Sequence, residues 1–222
     1  THHHLTQHIR KISRIDQEKY VWMDRFTIRN LELFHSTNDQ AKTLIDVLDF
    51  TISPMGSRMI KRWLSLPLKE KKQIEKRTDV VQYILNNPDF TSVLEENIKQ
   101  IGDLERLISK VSTTRVSPRE CNQLKQALNA IDPIKEACEK TNSSELKIIS
   151  EQLNPCKNIA DTIENTITEN PPAVVNKGNV IKEGINSELD ELRNLSKSGK
   201  DYLQKILERE SEKTGIPSLK IS

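Results

Sequence analysis

Apolar residues in this chain recur at steps of three and four, the spacing that lines one face of an α-helix. Leu44, Val47 and Leu48 make one stripe, and Met59, Ile60, Trp63 and Leu64 the next. Ile74, Thr78, Val81 and Leu85 follow, then Leu104, Leu107, Ile108 and Val111, then Leu124, Leu128 and Ile131. Weaker helices are expected over 144–153 and 155–169. The longest expected helix covers 186–214, with Leu189, Leu192, Leu195, Tyr202, Leu203, Ile206 and Leu207 on one side. Lys197, Asp201 and Lys205 on the other are spaced for i,i+4 ion pairs. At ~1.5 Å per residue such a helix reaches about 40 Å and protrudes from a body of this size.

Polar residues followed by proline mark the helix starts: Ser53-Pro54, Asn87-Pro88, Ser117-Pro118 and Asn154-Pro155. The polar side chain caps free amides, and proline at the first helical position gives up no hydrogen bond. Glu120, three residues after Ser117, completes a reciprocal capping box. Asp132-Pro133 predicts a kink or break. After Asn170-Pro171-Pro172, the apolar Ala173-Val174-Val175 and Val180-Ile181 flank Asn176-Lys177-Gly178-Asn179, which predicts a small hairpin or extended loop. Tyr20-Val21-Trp22-Met23 reads as a short strand-like run, and residues 5–12 as the end of a helix. Gly215-Ile216-Pro217 stops the long helix and leaves 218–222 extended. The expected fold class is all-α: an irregular multi-helix core, one long protruding helix and a small extended segment.

Composition supports this. Aromatic residues at 4% and only 6 glycines argue against a large sandwich or barrel. Lys and Arg number 34 against 32 Asp and Glu, a formal net charge of +2. A dedicated nucleic-acid-binding domain carries a larger basic excess. The 3 cysteines, Cys121, Cys138 and Cys156, form no C-x-x-C pair, and their odd number fits a reducing, cytoplasmic setting. No apolar run approaches the ~20 residues of a membrane span, so no membrane partner is expected. The chain begins at Thr1 and reads as a piece of something longer.

Catalytic signatures are missing from the sequence. It contains no G-x-x-x-x-G-K-[ST], no G-x-G-x-x-G, no G-x-S-x-G and no Cys/His set with zinc spacing. Catalytic, cofactor-binding and metal residues are therefore expected to be none. Among His2, His3, His4 and His8, the pair His4 and His8 shares a helical face, but two ligands without a third make a poor metal site. Glu95-Glu96 and Asp190-Glu191 read as solvated helix faces, and Lys69-Glu70-Lys71-Lys72 as the first turn of a helix. Trp63 on an apolar stripe reads as core rather than as a stacking platform.

Several segments, in order, resemble one family. Asp24-Arg25-Phe26-Thr27-Ile28-Arg29-Asn30-Leu31-Glu32-Leu33 resembles the stretch that opens the core domain of MutS DNA mismatch-repair proteins. Residues 44–68 resemble that family's core signature, with Thr51-Ile52-Ser53-Pro54-Met55-Gly56-Ser57-Arg58 and Arg62-Trp63-Leu64 before Pro67-Leu68. Gly102-Asp103-Leu104-Glu105-Arg106-Leu107 is similar to its "D-L-E-R" helix. Residues 178–184 with Glu188-Leu189-Asp190-Glu191-Leu192-Arg193 resemble the entry to its long lever helix. Glu208-Arg209-Glu210, and then Leu219-Lys220-Ile221, resemble the lever's end.

The resemblance implies a division into a connector-domain tail (1–23), a helical core (24–185), a lever helix (186–215) and the start of a clamp (216–222). It implies a parent that is a DNA-dependent ATPase using ATP and Mg, acting as a homodimer on mismatched DNA with a MutL-type repair protein. For this fragment it implies no enzymatic activity, no cofactor and weak or no DNA contact. Its role would be structural, relaying movement between clamp and ATPase domain through other MutS domains. Met55, Gly56, Arg58, Arg62 and Trp63 are candidates for an inter-domain joint, with Gly56 permitting close backbone approach. Arg58 and Arg62 are either surface charges or bridges between helices or domains. Tyr202, Leu203, Ile206 and Leu207 are candidates for a lever interface. The alternative is an independent helical scaffold for protein–protein interaction.

Overall fold

A computed structural model describes residues 17–38 and 40–215. The expected helix end at 5–12, the four N-terminal histidines and the extended 218–222 lie outside these residues. The chain is all-α. In order the helices are α1 (Arg25–Asn30), α2 (Leu44–Leu48), α3 (Pro54–Ser65), α4 (Lys71–Asn86), α5 (Pro88–Ile101), α6 (Leu104–Ser112), α7 (Pro118–Asn129), α8 (Ile131–Glu139), α9 (Ser144–Gln152), α10 (Lys157–Thr166) and α11 (Ser187–Thr214). Among the described residues β pairing is limited to the isolated antiparallel bridges Tyr20–Leu68 and Ile167–Ile181. The strand-like run at Tyr20 is thus one bridge wide.

Capping chemistry sets most helix starts. Gly56 N donates to Ser53 Oγ at 3.1 Å, and Ser117 and Glu120 form the reciprocal box that opens α7. Asn87 does stand before Pro88, but its Nδ2 donates backward to Tyr83 O at 2.7 Å and closes α4 instead of capping α5. Asn154 does not cap a helix either. Its Oδ1 accepts from Cys156 N at 3.0 Å, Cys156 adopts the left-handed region at φ 50, and α10 starts at Lys157. The proline break also falls earlier than Asp132-Pro133. Ala130 ends α7 and starts α8, and Pro133 sits in the first turn of α8, where amides have no intrahelical partner.

α7 packs against α10, α8, α5 and α6, and α8 against α9. Leu107, Leu124, Leu128, Ile131 and Ala160 form one buried cluster. Ile134, Cys138 and Leu146 form another, with Val80, Tyr83, Phe90 and Leu94 packed around them. Ile101 and Leu153 touch both clusters, so the core is continuous. Tyr83 and Phe90 meet edge-on at 5.4 Å between centroids.

Other expected core stripes face outward. Leu44, Val47 and Leu48 on α2, Ile74, Val81 and Leu85 on α4, and Ile108 and Val111 on α6 are all exposed, Leu85 at 72%. On α4 the inward face is instead Val80 and Tyr83. Segment 173–181 forms no hairpin. Val175–Lys177 is a 3-10 turn with Val174 and Val175 exposed, and the segment pairs instead with the end of α10, through Val180 O to Thr168 N and the bridge Ile181–Ile167.

α11 is one helix of 28 residues capped by Asn186, whose side chain accepts from Leu189 N at 2.9 Å. Its root is strapped to the preceding segment. Asp190 accepts from Gly184 N at 2.7 Å and from Arg193 Nη1 at 2.8 Å, and Arg193 Nη2 donates to Ile181 O at 2.7 Å. Asp190 is therefore an anchor rather than part of a solvated face. Lys197 reaches Glu183 at 3.6 Å, off its own helix.

Two outcomes follow from these contacts. Glu120 accepts from Lys110 Nζ and from Ser117 N and Oγ, and the lysine above all pulls its carboxyl from 4.5 down to about 2. The folded state thus favours the charged form, so this contribution is present above pH 4.5 and is lost as pH falls toward 2. Glu120→Gln should flatten that part of the acid limb in thermal melts taken between pH ~5 and ~2. Separately, Arg193→Ala should weaken the root of α11 by about 1.5 kcal/mol, the low end for hydrogen bonds to a charged group. Hydrogen exchange should then quicken over 181–195 while α7 is unaffected.

Candidate functional site

The start of α3 is held by a short polar network. Asp49 accepts from Ser57 Oγ at 2.6 Å and from Thr51 Oγ1 at 2.5 Å, which fastens the α2–α3 loop to the helix. These bonds, that from Ser57 first, hold the Asp49 carboxyl below its ordinary value. Gly56 eases this close approach, since a Cβ there would stand 3.1 Å from Thr51 Cβ and push it back by a few tenths of an ångström. Ser53 Oγ, the cap acceptor, would be 3.3 Å from the same Cβ.

One turn on, Arg58 ties α3 to the start of α6. Its Nη1 and Nη2 donate to the Asp103 carboxylate at 3.0 and 2.7 Å. Nε and Nη2 donate to Glu105 Oε2 at 2.9 and 2.6 Å. Such forked pairing is what a planar guanidinium does best. Each partner holds the other charged: hydrogen bonding to Asp103 raises Arg58 above its ordinary value, and Arg58 lowers Asp103. Of the two readings of Arg58, the geometry is that of a bridge between helices.

Trp63 is not core. It is 44% exposed, and the guanidinium of Arg77 on α4 lies 3.8 Å from its ring centroid. Met55, Arg58, Met59, Arg62, Trp63 and Leu66 of the α3 segment line a cavity of about 430 Å³ together with Arg77 of α4, Glu105 of α6 and Tyr20. The structure thus brings Met55, Arg58, Arg62 and Trp63 to one place, with Gly56 behind them on the loop side. Arg77 was not signalled by the sequence, since it sits inside a charged run without any motif. Asp103 and Glu105 were signalled only as part of the "D-L-E-R" resemblance. The lever candidates do not line this cavity. Tyr202 and Leu203 are exposed at 67% and 46%, and Ile206 and Leu207 are half-buried.

Among the described residues no group of His, Cys, Asp and Glu is placed to hold a metal ion, and no helix is long and apolar enough to cross a membrane. Cys121, Cys138 and Cys156 are free thiols, and burial pushes the first two up.

What fold and cavity together define is a helical domain with side-chain ties between helices and a long helix rooted at one end. The family model described as MutS domain III matches residues 26–215, and the chain belongs to that family. It is similar over its full length to curated bacterial proteins named "DNA mismatch repair protein MutS". That of Christiangramia forsetii is 57% identical over 221 residues, covering 100% of this chain and 25% of the relative. That of Bacteroides fragilis is 54% identical over 222 residues, covering 100% of this chain and 26% of the relative. That of Cytophaga hutchinsonii is 48% identical with the same coverage, 100% and 26%. The chain therefore spans about a quarter of the length of the curated relatives it matches.

The Arg58 tie generates an outcome of its own. Arg58→Ala should loosen α3 against α6, so amide exchange over 54–65 should speed up severalfold while α7 to α10 keep their rates. Asp103→Asn should do the same more weakly, because Glu105 remains to accept from Arg58. Unchanged exchange in both variants would leave the tie without mechanical effect.

Proposed function

We propose that this chain is the core and lever part of a DNA mismatch-recognition ATPase, and that it relays conformational change between a DNA-gripping clamp and the ATPase domain. On this reading residues 1–23 end a connector domain, 24–185 are the core, 186–215 the lever and 216–222 the start of the clamp. Mismatched DNA, ATP with Mg, a second copy and a MutL-type repair protein are ligands and partners of the whole protein, in the cytoplasm. The chemistry belongs to its other parts, and this fragment acts mechanically rather than as an enzyme. Met55, Gly56, Arg58, Arg62 and Trp63 form a joint on which a neighbouring domain bears, and Tyr202, Leu203, Ile206 and Leu207 are the contact face of the lever.

The observation that carries this reading is the asymmetry of α11. Its first three turns are strapped by Asp190, Arg193 and Lys197 to segment 181–184. Farther along, Leu195, Tyr202 and Leu203 face outward at 67%, 67% and 46%. A helix anchored at one end transmits a rigid-body rotation of the body to its tip, and that is one of the known ways proteins move domains.

The test uses the full-length protein, with spin labels at Gln126→Cys on α7 and Glu208→Cys on α11 and the native cysteines replaced. The distance distribution between them should shift when ATP or a mismatched duplex is added. An identical distribution in every state would discard the relay and favour a static helical scaffold.

A further inference from the structure

We propose that the groove lined by α3 and Arg77 of α4 is a docking seat for a carboxylate-bearing, apolar segment from a neighbouring domain of the same protein. The proposal rests on the reading above, that this chain works beside other domains, and it adds the chemistry of the contact.

The three arginines at the groove are not equivalent. Arg58 is fully engaged by Asp103 and Glu105. Arg62 and Arg77 have no carboxylate partner among the described residues. The central carbon of the Arg77 guanidinium lies over the Trp63 ring, 3.8 Å from its centroid. Its N–H groups donate no hydrogen bond to any described residue, and a contact with a ring face does not use them up. Two guanidiniums without a carboxylate partner among the described residues thus line one cavity, each shaped to take a carboxylate in a fork.

The cavity also has an apolar part to its lining. Met55, Met59 and Leu66 line it beside Trp63, and Met59 is 54% exposed. Methionine adapts its shape to an incoming side chain better than any branched residue does. The same helix that carries Arg77 also carries Ile74, Val81 and Leu85 in the open, which extends the apolar strip along α4. An apolar side chain flanked by Asp or Glu would satisfy both parts of this surface at once.

A nucleic-acid strand fits less well. Its phosphates would meet Glu105, whose side chain is 69% exposed in the same lining. A base would find one face of Trp63 already covered by Arg77. The chain as a whole carries a formal charge of only +2, so it has little of the electrostatic drive on which such binding depends. The source is taken to be a neighbouring domain because relatives of this chain are about four times its length, this chain covering 25% of the first.

Hydroxyl-radical footprinting with mass spectrometry reads the oxidation of Met59 and Trp63 separately in the full-length protein without DNA. Met59 should oxidise roughly fivefold faster in the double variant Arg62→Glu, Arg77→Glu than in the unaltered protein, as expected of a side chain released from an interface core that excludes water. Trp63 should follow it. In an Arg62→Lys variant, a carbodiimide should couple the new amine to an Asp or Glu outside residues 1–222. Equal Met59 rates in the unaltered protein and the double variant, or coupling confined to residues 1–222, would overturn the proposal. So would protection of Met59 that appears only with DNA, or that grows with protein concentration, since the occupant would then be nucleic acid or a second copy. A protein whose α11 label stays still on ATP but whose Met59 is protected would discard the relay and keep the seat.

Discussion

The inner face of α7 is the surface on which the other helices take their positions. Ala127 is fully buried, and Ala130 and Ala160 are nearly so, which lets α8 and α10 approach the α7 backbone closely. Leu124 and Leu128 then fill the space between helices. The start of α7 reaches further. Asn122 donates to Thr168 O and Glu169 O at 2.9 and 2.8 Å, and Arg119 to Pro171 O at 3.1 Å. Those bonds fix the exit from α10, where Ile167 pairs with Ile181 and Ile181 O receives Arg193 of α11. The direction in which α11 leaves the body is therefore set, through three links, by a helix it does not extend.

Electrostatics here is local. The chain is nearly neutral, and its charges are arranged as pairs that join particular elements. Lys110 with Glu120 joins α6 to α7, and Lys125 with Glu164 joins α7 to α10. Lys76 with Glu145 joins α4 to α9 at 3.0 Å, and Lys157 with Asp132 joins α10 to α8 at 2.6 Å. The exposed ends of such pairs limit what each adds to stability, while each still ties one helix to a particular place on the next. Arg62 and Arg77, at the cavity, form no such pair among the described residues.

The fold class and most helix bounds were legible because capping is local chemistry. Ser53 and Ser117 needed nothing beyond their own next three residues. The long helix was legible because Asn186 and Gly215 delimit it from inside the sequence. Which face a helix buries was not. α4 carries apolar residues on both sides, and periodicity picked Ile74, Val81 and Leu85 over Val80 and Tyr83 because nothing local says where α5 and α9 will lie. Asn154 and Pro133 misled for a related reason, since a polar–proline pair suits a turn as well as a cap. At the cavity, the α3 residues were visible through the resemblance, whereas Arg77 came from a separate helix and was brought there only by tertiary packing.

The loop between Thr168 and Val180 has a consequence for how such a domain can change over time. Its two ends are pinned together, Thr168 N to Val180 O at 2.9 Å and Lys182 N to Thr166 O at 2.8 Å. Its tip, with Val174, Val175 and the turn to Gly178, stands exposed. Lengthening a loop whose ends are already joined costs little, because closure entropy grows only with the logarithm of its length. Extra residues at this tip leave the foot of α11 where it is. The loop is thus a place where sequence can be inserted, by evolution or by an experimenter who wants a reporter on the body, without altering the angle of the long helix.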